Sequence, residues 1–473
     1  MNFRREEDSL GVVEVPEDRL YGAQTARAMD NFAIGRERMP EELISSYLDI
    51  KEAAARVNEK MGRLSAEKAE TIINSIEDLR QRDHLAEEFP LSLWQSGSGT
   101  QTNMNVNEVI ANNASLLAGE KPGSHKPLHP NDDVNMSQST NDTFPTAISL
   151  SLLRLCSSRL EPALARLTEE LKKKAEDFAD IDKTGRTHLM DATPVTLGQE
   201  FAAYGEQIER AFESISSARE DMRLVPLGGT AVGNGLNAPE NFAEEAVAEI
   251  EKITGIQLTA ADNKLAYQAA HDNFVRFSAS LEGLAVALKK MGEDLRMMAS
   301  GPRCGLQEIE IPAREPGSSI MPGKINPTQI EVITQVSVQV QANHRAAVLA
   351  GSGGQFELNT YRPVFVSNLF QSVRLLADSI DSFTEYCLVG ITPNRKKLQD
   401  DVENSLMLMT ALAPEIGYDR AAEVADLARE KSLSLAEAAA ELGFISRDEI
   451  REKLDPSLLS RPHKSHESNE TAK

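Results

Sequence analysis

The chain has 473 residues, 41% hydrophobic and 26% charged, with a formal net charge of −23. That length supports two or three domains around a large core. The acid excess excludes a nucleic-acid partner, which needs clustered Lys and Arg, and no run approaches the roughly 18 apolar residues of a membrane span.

The start, Met1-Asn2-Phe3-Arg4-Arg5-Glu6-Glu7-Asp8, lacks the apolar core of a signal peptide, and Cys156, Cys304 and Cys387 form neither a disulfide framework nor a metal cluster. A cytoplasmic protein is expected. Up to about residue 35, the alternation Gly11-Val12-Val13-Glu14-Val15-Pro16 and the turn Tyr21-Gly22-Ala23-Gln24-Thr25 read as a small β-hairpin. From about 40 to 82, Leu43, Tyr47, Ile50 and Ala54 predict two helices joined near Gly62.

Trp94-Gln95-Ser96-Gly97-Ser98-Gly99-Thr100-Gln101 then runs hydroxyls and glycines into a helix through Val109, Ala111 and Leu116. Such a segment presents amides and hydroxyls to an anion, although alone it reads more simply as a polar loop with a Ser/Thr cap. Residues 119–138, rich in Gly and Pro, form an irregular connection that ends a first domain. Within it, Asn131 and Asp132 are candidates to cap a helix turn.

Ser137-Gln138-Ser139-Thr140-Asn141-Asp142 opens a long helix marked by Leu153, Leu160, Leu164, Leu167, Leu171 and Phe178. Asn141 or Asp142 is its expected cap, and Pro162 its expected kink or break. Gly185-Arg186-Thr187-His188 precedes another helix with Leu197, Phe201, Tyr204 and Ile208; a single histidine there is most simply structural.

A glycine-rich loop follows at 224–237. From about 262 to 299, Phe274, Phe277, Leu281, Leu284, Leu288, Met291, Leu295 and Met298 mark the seam of a helix bundle. Ala279, Ala285, Val286 and Ala287 beside the seam predict burial on more than one face.

Gly317-Ser318-Ser319-Ile320-Met321-Pro322-Gly323-Lys324-Ile325-Asn326-Pro327 must be a shaped loop, since its glycines and prolines suit neither helix nor strand. Asn326 is expected to cap, and Pro327 to open, a helix carrying Ile330, Ile333, Val336 and Val340. Lys324 and a helix N-terminus would then meet in one place, which suits a carboxylate. Val332, Ile333, Val336, Val338 and Val340 make that helix apolar on several sides, as in a bundle shared between subunits. Beyond about 394, shorter helices near 418–431 and 434–453 precede a polar tail from Asp455.

These motifs resemble the aspartase/fumarase superfamily, homotetrameric lyases that add or remove a group across the double bond of fumarate. The resemblance runs from about Arg5 to about Leu454. It implies a mainly α fold of three domains: an N-terminal lyase domain at 1–138, a tetramerising bundle of long helices at 139–394 and a small C-terminal helical domain at 395–473. It also implies that Ser318 is the base and that Lys324 and Asn326 hold substrate carboxylates, with Ser319 and Ile325 in the same loop. Ser98, Gly99, Thr100, Ser139, Thr140, Asn141 and Thr187 complete the implied substrate contacts. His129-Pro130-Asn131-Asp132 matches a segment described in the family as a secondary dicarboxylate site. Family active sites lie where three subunits meet.

Within the superfamily, Thr187-His188 resembles the hydratase form, where aspartases typically carry Gln. Hydroxide is a poor leaving group and needs an acid or a proton relay. Ser98, Gln101 and Gly323 point the same way, while Thr140 mildly favours aspartases. The implied activity is reversible hydration of fumarate to L-malate in the tricarboxylic acid cycle, as in class II fumarases, with no metal or organic cofactor. The charge would develop as an aci-carboxylate gripped by Lys324, Asn326 and amide dipoles. His188 would handle the water proton, and Glu331 either polarises it or serves as a first-turn helix acid. Aspartate ammonia-lyase is the alternative enzyme and a catalytically silent helical bundle the non-enzymatic one. With a net charge of −23, any dicarboxylate site must be locally positive inside an acidic shell.

Overall fold

A computed structural model describes residues 2–445, 449–450 and 453–460. Strands β1 (Phe3–Asp8) and β2 (Gly11–Pro16) pair antiparallel, from Phe3↔Pro16 to Asp8↔Gly11. The hairpin is present, but the apolar alternation revealed only β2. Its partner is the charged segment upstream, and Tyr21–Thr25 leads instead into α1 (Ala23–Asn31). There Glu108 accepts from the amides of Gly22, Gln24 and Thr25 at 3.0, 2.8 and 3.1 Å and satisfies the free N–H groups at the helix start.

Helices α2 (Glu41–Lys60) and α3 (Ala66–Gln81) flank Gly62, whose φ of +69° explains the glycine. α4 (Thr100–Leu117) follows, and the connection after it contains a π-helical turn at Pro130–Val134. α5 (Thr140–Leu155) and α6 (Glu161–Asp177) are separated by a second π-helical turn, Cys156–Leu160. The break expected at Pro162 therefore falls just before it: the proline has no N–H for the preceding turn, and the helix widens there.

β3 (Asp182–Thr187) and β4 (Met190–Thr196) form a second hairpin, followed by α7 (Leu197–Met222). The short strands β5 (Leu224–Val225) and β6 (Thr259–Ala260) pair in parallel, with α8 (Phe242–Thr254) between them. The helix expected from 262 to 299 is two: α9 (Lys264–Ala269) and α10 (Asp272–Met298). Ala270 between them is extended, and His271 accepts the first helical bonds of α10 through its carbonyl. All eight predicted seam residues are buried, and Ala285 with them, while Ala279 and Val286 are exposed on the single chain.

Further along the chain come β7 (Ile309–Glu310), which pairs antiparallel with β8 (Thr392–Pro393), and helices α11 (Thr328–Gly351), α12 (Arg362–Tyr386), α13 (Arg395–Glu403), α14 (Ala413–Ile416), α15 (Tyr418–Lys431) and α16 (Leu435–Leu442). The chain divides into two compact units. One comprises Met1–Ala163, Ala211–Val286 and Val336–Asp378; the other comprises Leu164–Arg210, Ala287–Gln335 and Ser379–Lys473.

In the first unit α2 packs on α3, α5 and α8, and α3 on α4, around Tyr47, Val106, Ile110 and Phe144. In the second, Leu408, Leu412, Val424, Ala428, Leu435, Ala439 and Ile450 form a core of their own under α15 and α16. α16 stops at Leu442 on Gly443, whose φ is +72°. The tail expected from Asp455 opens instead as a helical turn, Pro456–Leu459, capped by the Asp455 side chain; parts of the expected extension to 453, and the residues from 461, lie outside the described residues.

Candidate active site

The sequence-predicted site residues fall into three groups. The first is built on the starts of α4 and α5. Gly99, at φ +80°, precedes α4, and a Cβ on it would lie 2.1 Å from the Phe144 ring. One on Gly97 would lie 1.5 Å from the Thr360 carbonyl oxygen, so both glycines allow close approach. The loop carries linked hydroxyls: Ser96 Oγ to Ser98 Oγ at 3.0 Å, and Ser98 Oγ to Thr100 Oγ1 at 2.8 Å.

Ser139, rather than Asn141 or Asp142, caps α5. Its Oγ accepts from the Asn141 amide at 3.2 Å, and Asp142 Oδ1 accepts from the Ser139 amide at 3.0 Å, closing a capping box. The aspartate at N3 reaches back more readily than it could cap. Asp142 Oδ2 also accepts from the Thr230 amide at 2.8 Å, and Asn141 Nδ2 donates to the Ala231 carbonyl at 2.8 Å. The glycine-rich loop is thereby pinned to the start of α5. Burial pushes the Asp142 carboxyl up to about 7, against these amide bonds and the charge of Lys51.

The second group stands at the tip of the β3–β4 hairpin. Thr187 ends β3, and His188 and Leu189 form the two-residue turn with φ of +56° and +62°. Two left-handed residues are the mark of a type I′ turn, normally Asn-Gly, and neither residue here is glycine. Holding them so costs about 1 kcal/mol or more each. Thr187 and His188 are exposed, with Leu189 and Met190 at 74% and 70%.

Beneath the tip lies a pocket of about 450 Å³ lined in part by Lys183, Arg186, His188, Glu200, Tyr204 and Glu308. Lys183 Nζ lies 2.8 Å from both Glu200 oxygens and 3.1 Å from Glu308 Oε2, and Arg186 Nη1 lies 2.6 Å from Glu308 Oε1. Glu308 is fully buried. This ion network gives the strained turn a rigid footing.

The third group is the loop before α11. Asn326 Nδ2 donates to the Gly317 carbonyl at 2.6 Å and the Gly317 amide to the Lys324 carbonyl at 2.9 Å, so the loop is closed on itself. Asn326 therefore does not cap the helix. Pro327 takes the position before it, accepting from the Glu331 amide at 3.0 Å, and α11 begins at Thr328. Ser318 Oγ accepts from the amides of Ile320 and Met321 at 3.2 and 3.1 Å. Ser319, Lys324 and Ile325 are exposed. Glu331, in the first turn of α11, lies 3.7 Å from Arg296 Nη2.

At the His129 segment, His129 Nδ1 itself caps the π-helical turn, accepting from the Asp132 amide at 3.1 Å; Asn131 and Asp132 are both exposed. His129 stacks edge-on against His125, 4.7 Å between centroids. His129, Pro130 and Asn131 line a pocket of about 250 Å³ with Glu6, Glu7, Asp8 and His125.

Arg362 was not among the predicted site residues. Its side chain is fully buried, and Nη2 donates to the Asn141 carbonyl at 2.9 Å. That carbonyl needs a donor because the residue four positions on is Pro145, which has no N–H. The signal available in the sequence was an arginine opening a helix with an apolar face at Phe365, Val366, Leu369 and Phe370.

The lyase family model matches residues 11–342, and that of the fumarase C C-terminus matches 408–461. The chain belongs to this lyase family, and its mainly helical architecture is the aspartase/fumarase fold expected from the motifs. A fumarate hydratase class II from Thermosynechococcus vestitus is 52% identical over 449 residues, 94% of this chain and 96% of that one. Another from Helicobacter pylori is 46% identical over 462 residues, 98% and 100% of the two chains. The solved class II fumarase from Schistosoma mansoni superposes with a TM-score of 0.95 at 40% identity, covering 98% of this chain and 100% of that one. Within the lyases, this is the class II fumarate hydratase family.

Proposed function

We propose that the chain catalyses the reversible hydration of fumarate to L-malate as a step of the tricarboxylic acid cycle. The observation that carries the reading is the pair of backbone amides donated to Ser318 Oγ in a loop that also presents Lys324. A serine hydroxyl is too weak an acid to ionise in water at neutral pH, and two fixed N–H dipoles favour its alkoxide. In the dehydration of malate Ser318 takes the proton from the carbon beside one carboxylate. The electron pair moves into that carboxylate, gripped by Lys324 and Asn326 as an aci-acid, and then expels the hydroxyl, which leaves as water with a proton delivered through His188. The hydroxyls of Ser98, Thr100 and Ser139, with Thr140, Asn141, Gly99 and Thr187, hold the substrate, and Ser319 and Ile325 complete the loop's contacts.

The three groups meet from three subunits of a homotetramer in this reading, with Glu331 of one subunit, which lies 3.7 Å from Arg296 of its own chain, brought to His188 of another. Leu189 and Met190 at the hairpin tip, Ile320, Met321 and Ile325 in the loop, and Val332, Val338 and Leu349 on α11 are large apolar side chains exposed on one chain, as expected of surfaces covered by other copies. Light scattering on the purified protein should give four times the mass of one chain; a monomer would remove the shared site. The separate core within 408–454 supports reading 395–473 as a C-terminal domain, beside 1–138 and the central 139–394.

The His129–Asp132 segment is retained as the secondary dicarboxylate site. The carboxylates of Glu6, Glu7 and Asp8 line the same pocket, so a dianion there would have to be met on the side of His125 and His129. No described helix is long and apolar enough to cross a membrane, and a cytoplasmic enzyme without a nucleic-acid partner completes the proposal.

The test is ultraviolet absorbance of fumarate formed from L-malate and, separately, from L-aspartate, with a chelator present. Fumarate from malate alone is expected. Fumarate from aspartate alone would transfer the function to ammonia-lyase, and silence in both would revive the non-catalytic bundle.

A further inference from the structure

Arg362 is among the largest fully buried side chains, and its hydrogen-bonding partners are all uncharged. Nη2 donates to the carbonyls of Asn141 at 2.9 Å and Gln268 at 3.4 Å; Nη1 reaches those of Ser98 and Thr140, both at 3.4 Å. Nε donates to His271 Nε2 at 3.2 Å, and the Arg362 amide to the Gly97 carbonyl at 3.3 Å. Burial, reinforced by the guanidinium, holds the His271 imidazole well below its usual range, so that nitrogen is a ready acceptor.

A buried cation is expensive unless its donors are met. Here the planar fork hydrogen-bonds to the carbonyls of three segments. One is the loop bearing Ser98 and Thr100, where the Phe144 ring also packs against Gly99. Another is the start of α5 bearing Ser139 and Asn141, where Pro145 has left a carbonyl open. The third is the end of α9, where the break before α10 frees Gln268 and His271 from regular helix. The break and the proline thus create acceptors facing one guanidinium.

We propose that Arg362 is a positioning residue for substrate binding. Its guanidinium fixes the spacing between the Ser98–Thr100 loop and the Ser139–Asn141 helix start, so that both grip one dicarboxylate. The proposal rests on the functional reading above and deepens it: Arg362 touches backbone, not substrate. Lysine keeps the charge but reaches fewer carbonyls and lacks the planar fork.

The experiment compares Arg362→Lys, Arg362→Gln and Val373→Ala, the last a buried position three turns along α12. For each, KM and kcat on L-malate, the inhibition constant of succinate and the Tm are measured. Arg362→Gln is expected to raise KM and the succinate constant at least about tenfold, with a smaller change in kcat, and Arg362→Lys to fall between it and wild type. Val373→Ala is expected to lower Tm while leaving KM unchanged. If the glutamine variant does not fold, the lysine variant decides. Wild-type KM and succinate affinity in a folded Arg362 variant, or an equal rise in Val373→Ala, would overturn the proposal. A wild-type chain inert towards malate would overturn the functional reading itself, an outcome separate from either of these.

Discussion

Ser318→Ala is expected to reduce turnover of L-malate by about 10³-fold or more, in the upper part of the range for loss of a positioned general base. The variant removes one oxygen from an exposed loop. The Ile320 and Met321 amides that it leaves can bind water, and the loop closure made by Asn326 and Gly317 does not involve the serine. Tm and oligomeric state should therefore match wild type, and KM should stay within about threefold, because Lys324 remains to hold the carboxylate. Steady-state kinetics beside circular dichroism and light scattering would check this. A folded variant within tenfold of wild-type kcat would remove Ser318 as the base.

His188→Asn should cost about 10² to 10³ in turnover, and the backbone makes the substitution unusually clean. At φ +56° the histidine occupies a conformation that asparagine adopts with ease, so the hairpin tip should stand as firmly or more so. The loss then reports proton chemistry rather than collapse of the turn. A second readout separates the steps: in deuterated water the carbon-bound proton of malate should still exchange through Ser318 while net dehydration nearly stops. Full hydration activity in this variant would leave the family membership intact and discard the role of His188.

The sequence made the helices legible wherever apolar periodicity was long. The seam from Phe274 to Met298 is buried at all eight predicted positions because its spacing of three and four has only one solution. It was weaker where side chains compete for the same backbone group. Ser139, Asn141 and Asp142 are all good caps, and only the reach of Asp142 back to the Ser139 amide decides among them. Asn326 read as a cap for the same reason, yet its amide is engaged by a carbonyl nine residues away. β1 was missed because its partnership with β2 lies in backbone pairing that charged side chains do not advertise.

The site was legible as motifs and illegible as geometry. Hydroxyls, a lysine and a histidine mark chemistry by type. Arg362 acts on carbonyls, and every residue has a carbonyl, so nothing in the segments around Ser98 and Asn141 announces that a guanidinium will join them. The strain at His188 and Leu189 is likewise invisible until the β3–β4 register is known, since the same two residues in a longer loop would carry none.

The missing N–H of Pro145 links two positions more than two hundred residues apart in the chain. A residue with an N–H at 145 would compete for the Asn141 carbonyl and tighten α5, leaving one prong of Arg362 without its shortest partner. An apolar residue at 362 would leave that carbonyl buried with no donor. Each change alone is penalised by the residue that did not change, so sequence drift at 145 and 362 should proceed in step, and an exchange that alters both at once is the variation this fold can absorb.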